Sequence, residues 1–192
     1  MTPWTEYASI VALGIGANSE NLPVGLGYGM RGRKIGLASN LFIAAVTTGA
    51  TLVPLAIGER VRGYMPERWP DIVAGLILIF LGFFNVWFER QRRPSFHIKS
   101  EPLRAASISL SETLVLAGSL SLNNVGLGFA GGIADLGAGP VAISVAGFSI
   151  VLLWLGQHLG RAIGIRSHAL PWLLLDGNML IVAAGMAMVV AA

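Results

Sequence analysis

Six apolar stretches follow one another along this chain, at residues 7–30, 35–57, 72–88, 113–133, 141–159 and 170–190, each with at most one acidic residue. About 20 mostly apolar residues in a helix cross roughly 30 Å of hydrocarbon. Closed helices also satisfy their own backbone polar groups, which lipid cannot do. The pattern therefore predicts an all-α membrane protein with six transmembrane helices. Composition agrees: 54% of the residues are hydrophobic and 12% charged, where soluble domains carry roughly a quarter charged, and the mean hydropathy is +0.70.

The chain contains no cysteine, which excludes disulfides, thiolate metal sites and cysteine nucleophiles. Its three histidines, His97, His158 and His168, are too scattered to suggest a zinc cluster. No nucleophile–base pair and no HExxH helix is visible, so an enzyme is the least favoured class, and no cofactor is expected. The net charge of +3 resides in short loops. That distribution reports membrane orientation, with lipid and not nucleic acid as the partner.

The loops after the first, third and fifth stretches hold ten Lys and Arg residues, among them Arg31, Arg33, Lys34, Arg90, Arg161 and Arg166. The opposite side holds Arg60, Arg62 and Arg68. The positive-inside rule then places the basic loops in the cytoplasm and both termini outside, in a bacterial inner membrane. Residues 1–6 carry no Lys or Arg, so a cleavable leader is not expected.

A motif recurs at a distance of 103 residues. Asn18-Ser19-Glu20-Asn21-Leu22-Pro23-Val24-Gly25 overlays Ser121-Leu122-Asn123-Asn124-Val125-Gly126-Leu127-Gly128 without a gap. Glu20 meets Asn123, Asn21 meets Asn124, Pro23 meets Gly126 and Gly25 meets Gly128. Three spans per half is an odd number, so a repeated half must insert upside down. The expected organisation is two inverted-topology three-helix repeats, 1–93 and 107–192, joined by a polar cytoplasmic linker at 94–106. Gly25/Gly29 and Gly128/Gly132 form small faces suited to close helix packing.

Oxygen-bearing side chains beside helix breakers are how repeat-built transporters form midplane sites. Glu20 is the leading candidate, since a carboxylate within a span is costly unless it meets a cation, a cavity or a proton. Interfacial placement is the plain alternative. Asn18, Asn21, Asn123 and Asn124 add neutral oxygens suited to hard divalent cations, or they are interhelical hydrogen-bonding residues. Pro23 and Gly126 are expected to open their helices and free carbonyls, or merely to kink them. Asn40, Thr47 and Thr51 share a face of the second span and line a path or satisfy their own backbone. Glu112, Asn85, Asp176, Asn178 and His158 read as residues of span ends, packing or interface.

The spelling Gly27-Tyr28-Gly29-Met30-Arg31-Gly32 matches a dinucleotide fingerprint. Here it ends an apolar helix and follows no strand, so the phosphate-binding context is missing. No Walker A motif occurs, and transport would run on gradients or on a partner.

The run Ser19-Glu20-Asn21 followed by Gly25 and a basic loop, together with Glu112 and Ser121-Leu122-Asn123-Asn124, resembles the manganese efflux pump (MntP) family. The likeness is nearest its YtaF-like sporulation membrane protein branch, within the LysE-like transporter grouping. The resemblance implies a six-helix inverted-repeat exporter of Mn²⁺ with an acidic residue from each half near the metal. Metal ligands would be Glu20, Asn21, Asn123, Asn124 and Asn18. Where that family presents Asp in both halves, this chain has Glu20 and Asn123, one formal charge fewer. Another ion or small solute as cargo, or a non-transporting membrane assembly protein, are the alternatives, and association with further copies of the chain is left open.

Overall fold

The structure, a computed structural model, describes residues 3–66, 69–91 and 107–163 together with Met186, Val189 and Val190; for residues 3 and 85–91 it describes the backbone alone. The linker 94–106, most of the sixth stretch, and Asp176 and Asn178 within it lie outside the described residues, as does the Asn85 side chain. Among the described residues six helices follow in order: α1 Pro3–Ala17, α2 Asn21–Met30, α3 Leu37–Arg62, α4 Trp69–Gln91, α5 Leu110–Ile133 and α6 Ala138–Ile163. The helices α3, α5 and α6 are each long and apolar enough to cross a membrane, and α4 holds a shorter apolar run, Trp69–Phe84.

Polarity is inverted relative to a soluble bundle. Val53, Phe80, Val115, Leu122 and Ile143 point outward, while Asn18, Asn21, Thr47, Thr51, Asn124 and Ser149 are buried at 1% exposure or less. Apolar side chains on the perimeter carry no cost when lipid is the solvent, and buried polar ones then need partners within the protein.

Sequence chemistry sets the helix ends. Ser109 and Glu112 form a capping box at the start of α5, satisfying backbone donors that the first turn leaves open. The helix α2 closes through Gly32 at φ 68°, with Arg33 N–H donating to Tyr28 O at 3.0 Å. The end of α5 repeats this turn 103 residues on: Asp135 has φ 62° and Leu136 N–H donates to Gly131 O at 3.0 Å. Both are left-handed C-terminal closures, adopted by glycine in one case and aspartate in the other.

Two ends of the bundle are thereby defined. At one, Ile108 N–H donates to Lys34 O at 3.0 Å and Arg33 pairs with Glu112 through two contacts of 2.5 and 2.9 Å. The loop before α3 and the start of α5 thus meet at the end that carries the clustered basic residues. At the other, Arg62 donates to Ile133 O at 2.9 Å and lies 3.5 Å from Asp135. Glu112, read from sequence as an ordinary residue at the mouth of its span, is both a helix cap and an interhelical ion-pair partner. Replacing Arg33 by alanine is expected to cost about 1 kcal/mol, because the pair is forked but a quarter to a third exposed. A double-mutant cycle with Glu112→Gln in chemical unfolding checks it, and zero coupling would refute a stabilising pair.

Glycines bring the helices into backbone contact. Added Cβ atoms on Gly25 and Gly29 would overlap the carbonyls of Leu153 and Gln157, and on Gly128 and Gly132 those of Thr51 and Leu55. In the reverse direction, Gly160 sits on Leu26 O and Gly58 on Phe129 O. These contacts come in pairs: α2 rests on α6 as α5 rests on α3, at positions 102 or 103 residues apart. The small faces expected at Gly25/Gly29 and Gly128/Gly132 are thus the packing surfaces.

Candidate functional site

The first apolar stretch does not form one helix. It breaks at Asn18-Ser19-Glu20, between α1 and α2, three to five residues before the proline expected to cause the opening. Pro23 falls in the first turn of α2, where its missing N–H has no helical partner to lose. The break is stitched by its own side chains: Asn18 Nδ2 donates to Gly14 O at 2.8 Å and Ser19 Oγ to Gly16 O at 3.1 Å. Backbone carbonyls that a broken helix frees are therefore satisfied within the protein, the condition for such a break inside a membrane.

The partner segment behaves differently. The helix α5 runs unbroken through Asn123, Asn124 and Gly126, which corrects the expectation of a matching opening there. Gly126 instead makes room for Leu81 of α4. Glycine permits a break but does not force one, and the α5 backbone keeps its hydrogen bonds.

At the level of the break, four segments meet through polar side chains. Asn18 Nδ2 also donates to Val145 O at 3.0 Å. Asn21 Nδ2 donates to Ser149 Oγ at 3.0 Å, with Ser149 O and Asn18 Oδ1 each at 3.3 Å. Thr47 and Ser149 hydroxyls lie 3.4 Å apart, and Asn124 Nδ2 donates to Thr47 O at 3.1 Å. The arrangement is again paired: Asn21 reaches residue 149 on α6, and Asn124, 103 residues later, reaches residue 47 on α3. Its middle is the Thr47–Ser149 contact, whose members are 102 residues apart.

Along α3, α5 and α6 the polar residues of this layer fall between two buried apolar clusters. The one nearer the end bearing Arg62 includes Leu13, Leu55, Leu127 and Val145; the one nearer the basic end includes Tyr28, Ile43, Leu120 and Leu153. Asn124 Oδ1 is buried with no hydrogen-bond partner among the described residues. An unsatisfied acceptor in such a setting costs on the order of 1–3 kcal/mol, so its place in a tight core needs a reason.

Of the five expected ligands, three (Asn18, Asn21 and Asn124) join in this network. Glu20 and Asn123 are half-buried and adjoin these residues in sequence. Among the described residues no group of three or more His, Asp or Glu side chains could hold a metal ion. Asn40, Thr47 and Thr51 are buried on one face, as expected, and Thr47 and Thr51 do bond their own helix at 3.1 and 2.9 Å. Ser149 carries no signal of its own in the sequence beyond standing 102 residues after Thr47.

Helices with apolar perimeters and a buried polar layer at a helix break define a helical membrane protein. Among known proteins, the chain is similar to the "Probable sporulation protein YtaF" of Bacillus subtilis (strain 168), 24% identical over 167 residues that cover 73% of this chain and 79% of that protein. No family model matches the chain, and no solved structure matches it.

Proposed function

We propose that the protein is a secondary transporter that exports a divalent cation such as Mn²⁺ by alternating access between two inverted three-helix halves. The reading is carried by one observation: a polar layer at a helix break, lying between two buried apolar clusters, in which the two halves contribute corresponding asparagines. An occluded intermediate of alternating access needs a cargo layer that neither side can reach. The paired glycine contacts and the matching left-handed helix ends support the inverted repeat, and the clustering of basic residues at one end supports a cytoplasmic placement of that end.

Glu20 supplies the negative charge of the layer's sequence segment, and the amide oxygens supply neutral ligands. One carboxylate with amides leaves a divalent ion only partly neutralised, which favours a weakly held, releasable cargo over a resident cofactor. Cells expressing Glu20→Gln in place of the native chain are expected to accumulate manganese and to become sensitive to it. Unchanged manganese content and tolerance at equal protein level would sink the proposal.

A second reading has its own support. Every Nδ2 in the network is occupied by a neighbouring helix or by its own, as expected of side chains that hold a bundle together. On that reading the chain is a non-transporting assembly component, and substitutions change stability without changing any flux.

A further inference from the structure

At the basic end, a cavity of about 260 Å³ lies between the start of α3 and the last turns of α6. Its polar lining is Asn40, Gln157 and His158, with Trp154 alongside and Ile35 and Leu153 as apolar wall. These polar groups break the internal correspondence of the two halves. Positions 102 residues removed from Asn40, Gln157 and His158 hold Ala142, Leu55 and Ala56. Packing therefore does not demand polarity here, since the matching place is built from aliphatic side chains.

The hydrogen-bonding state of each group narrows what could fit. Asn40 is 5% exposed and donates Nδ2 to Ile150 O at 3.1 Å, while its Oδ1 has no partner among the described residues. Gln157 Oε1 accepts from Ile35 N–H at 2.9 Å, so its Nε2 is the end left for a ligand. His158 Nδ1 lies 2.8 Å from Trp154 O; a carbonyl only accepts, so Nδ1 carries the proton and Nε2 of the neutral ring is an acceptor. The His158 ring also sits 4.2 Å from that of Trp154, and both side chains are exposed at the rim. The residues lining the cavity thus carry two acceptors, one amide donor and an indole ring, and none of them is Lys, Arg, Asp or Glu. At roughly 30 Å³ per water, it is too large for a single solvent molecule.

We infer that this cavity binds a primary ammonium group with an adjoining oxyanion, the headgroup chemistry of an aminophospholipid. The ammonium hydrogens meet Asn40 Oδ1, with a small turn of its side chain, and His158 Nε2. The phosphate oxygens meet Gln157 Nε2, with Arg161 one turn further along α6. Trp154 suits the water–lipid boundary, where amphipathic rings concentrate, and its face favours a cation. The inference is independent of transport.

The test uses the full chain in detergent, with thermal unfolding followed during titration with short-chain phosphatidylethanolamine, phosphatidylcholine or soluble phosphoethanolamine. Choline is a cation without an N–H, so it separates hydrogen bonding from attraction to the ring. Phosphatidylethanolamine is expected to bind about tenfold more tightly than phosphatidylcholine, the weight of one charge-assisted hydrogen bond. Asn40→Leu should erase that preference, and His158→Ala, a rim change that leaves the core intact, should reduce it. Competition by soluble phosphoethanolamine would support the site with a soluble amine as occupant; its failure to compete would support the lipid. Equal binding of the two lipids by the native chain overturns the inference, as does a preference unaltered in both variants.

Discussion

Gly128→Ala is expected to prevent accumulation of folded protein, although it adds one methyl group. The new Cβ would overlap the carbonyl of Thr51, and the neighbouring turn offers no relief because Gly132 sits equally close to Leu55 O. Overpacking against side chains typically costs about 1–3 kcal/mol. Here the obstacle is backbone, which cannot change rotamer, so α3 and α5 must separate and the loss should be about 3 kcal/mol or more. Gly25→Ala should behave alike, since its methyl would meet Leu153 O on α6. The bundle contains its own control: nothing lies within 4 Å of a Cβ added to Gly118 or Gly147. Alanine there should be neutral or stabilising by roughly 0.5–1 kcal/mol through helix propensity. Size-exclusion profiles and thermal unfolding of the four variants decide the matter; Gly128→Ala behaving like Gly147→Ala would falsify backbone contact between the helices.

That contrast also shows what the sequence could and could not tell. Charge-free stretches located α3 through α6 because the lipid constraint acts on composition alone, and the small faces at Gly25/Gly29 and Gly128/Gly132 followed from the repeated motif. Which glycines touch a neighbour is a different matter. Gly118 and Gly128 stand ten residues apart on one helix, and only three-dimensional packing distinguishes them. The break before α2 was legible as an event but not as a position. Proline drew attention to residue 23, whereas the helix parts where Asn18 and Ser19 can bond the carbonyls of Gly14 and Gly16. Gly126 misled for the converse reason: a residue that tolerates disruption stays helical when the surroundings do not disturb it. For the site, repeat register pairs Asn21 with Asn124, and each donates its amide to a neighbouring helix, Asn21 to Ser149 and Asn124 to Thr47. Ser149 escaped notice because serine is unremarkable in an apolar helix until its partner is known.

Replacing Asn124 by leucine is expected to separate the two functional readings. The side chain makes one hydrogen bond, to Thr47 O, and that carbonyl keeps another donor because Thr51 Oγ1 lies 2.9 Å from it. Leucine is close to asparagine in size and also removes the partnerless Oδ1. Nothing buried is then stranded, and stability should change by about 1 kcal/mol or less. Asn21→Leu differs, because it leaves Asn18 Oδ1 and Ser149 Oγ without the amide that now reaches them; its cost should be about 2–3 kcal/mol. If the layer only holds helices together, an almost undisturbed Asn124→Leu protein must also be functionally silent. If Asn124 Oδ1 is kept bare to receive cargo, the same protein folds normally yet loses manganese export. Unfolding midpoints and metal flux measured on one Asn124→Leu preparation in vesicles distinguish these outcomes. Normal flux at normal stability would remove Asn124 from the cargo path. A protein that unfolds as readily as Asn21→Leu would instead make Asn124 part of the scaffold, because its amide would then be worth more to the fold than one replaceable hydrogen bond.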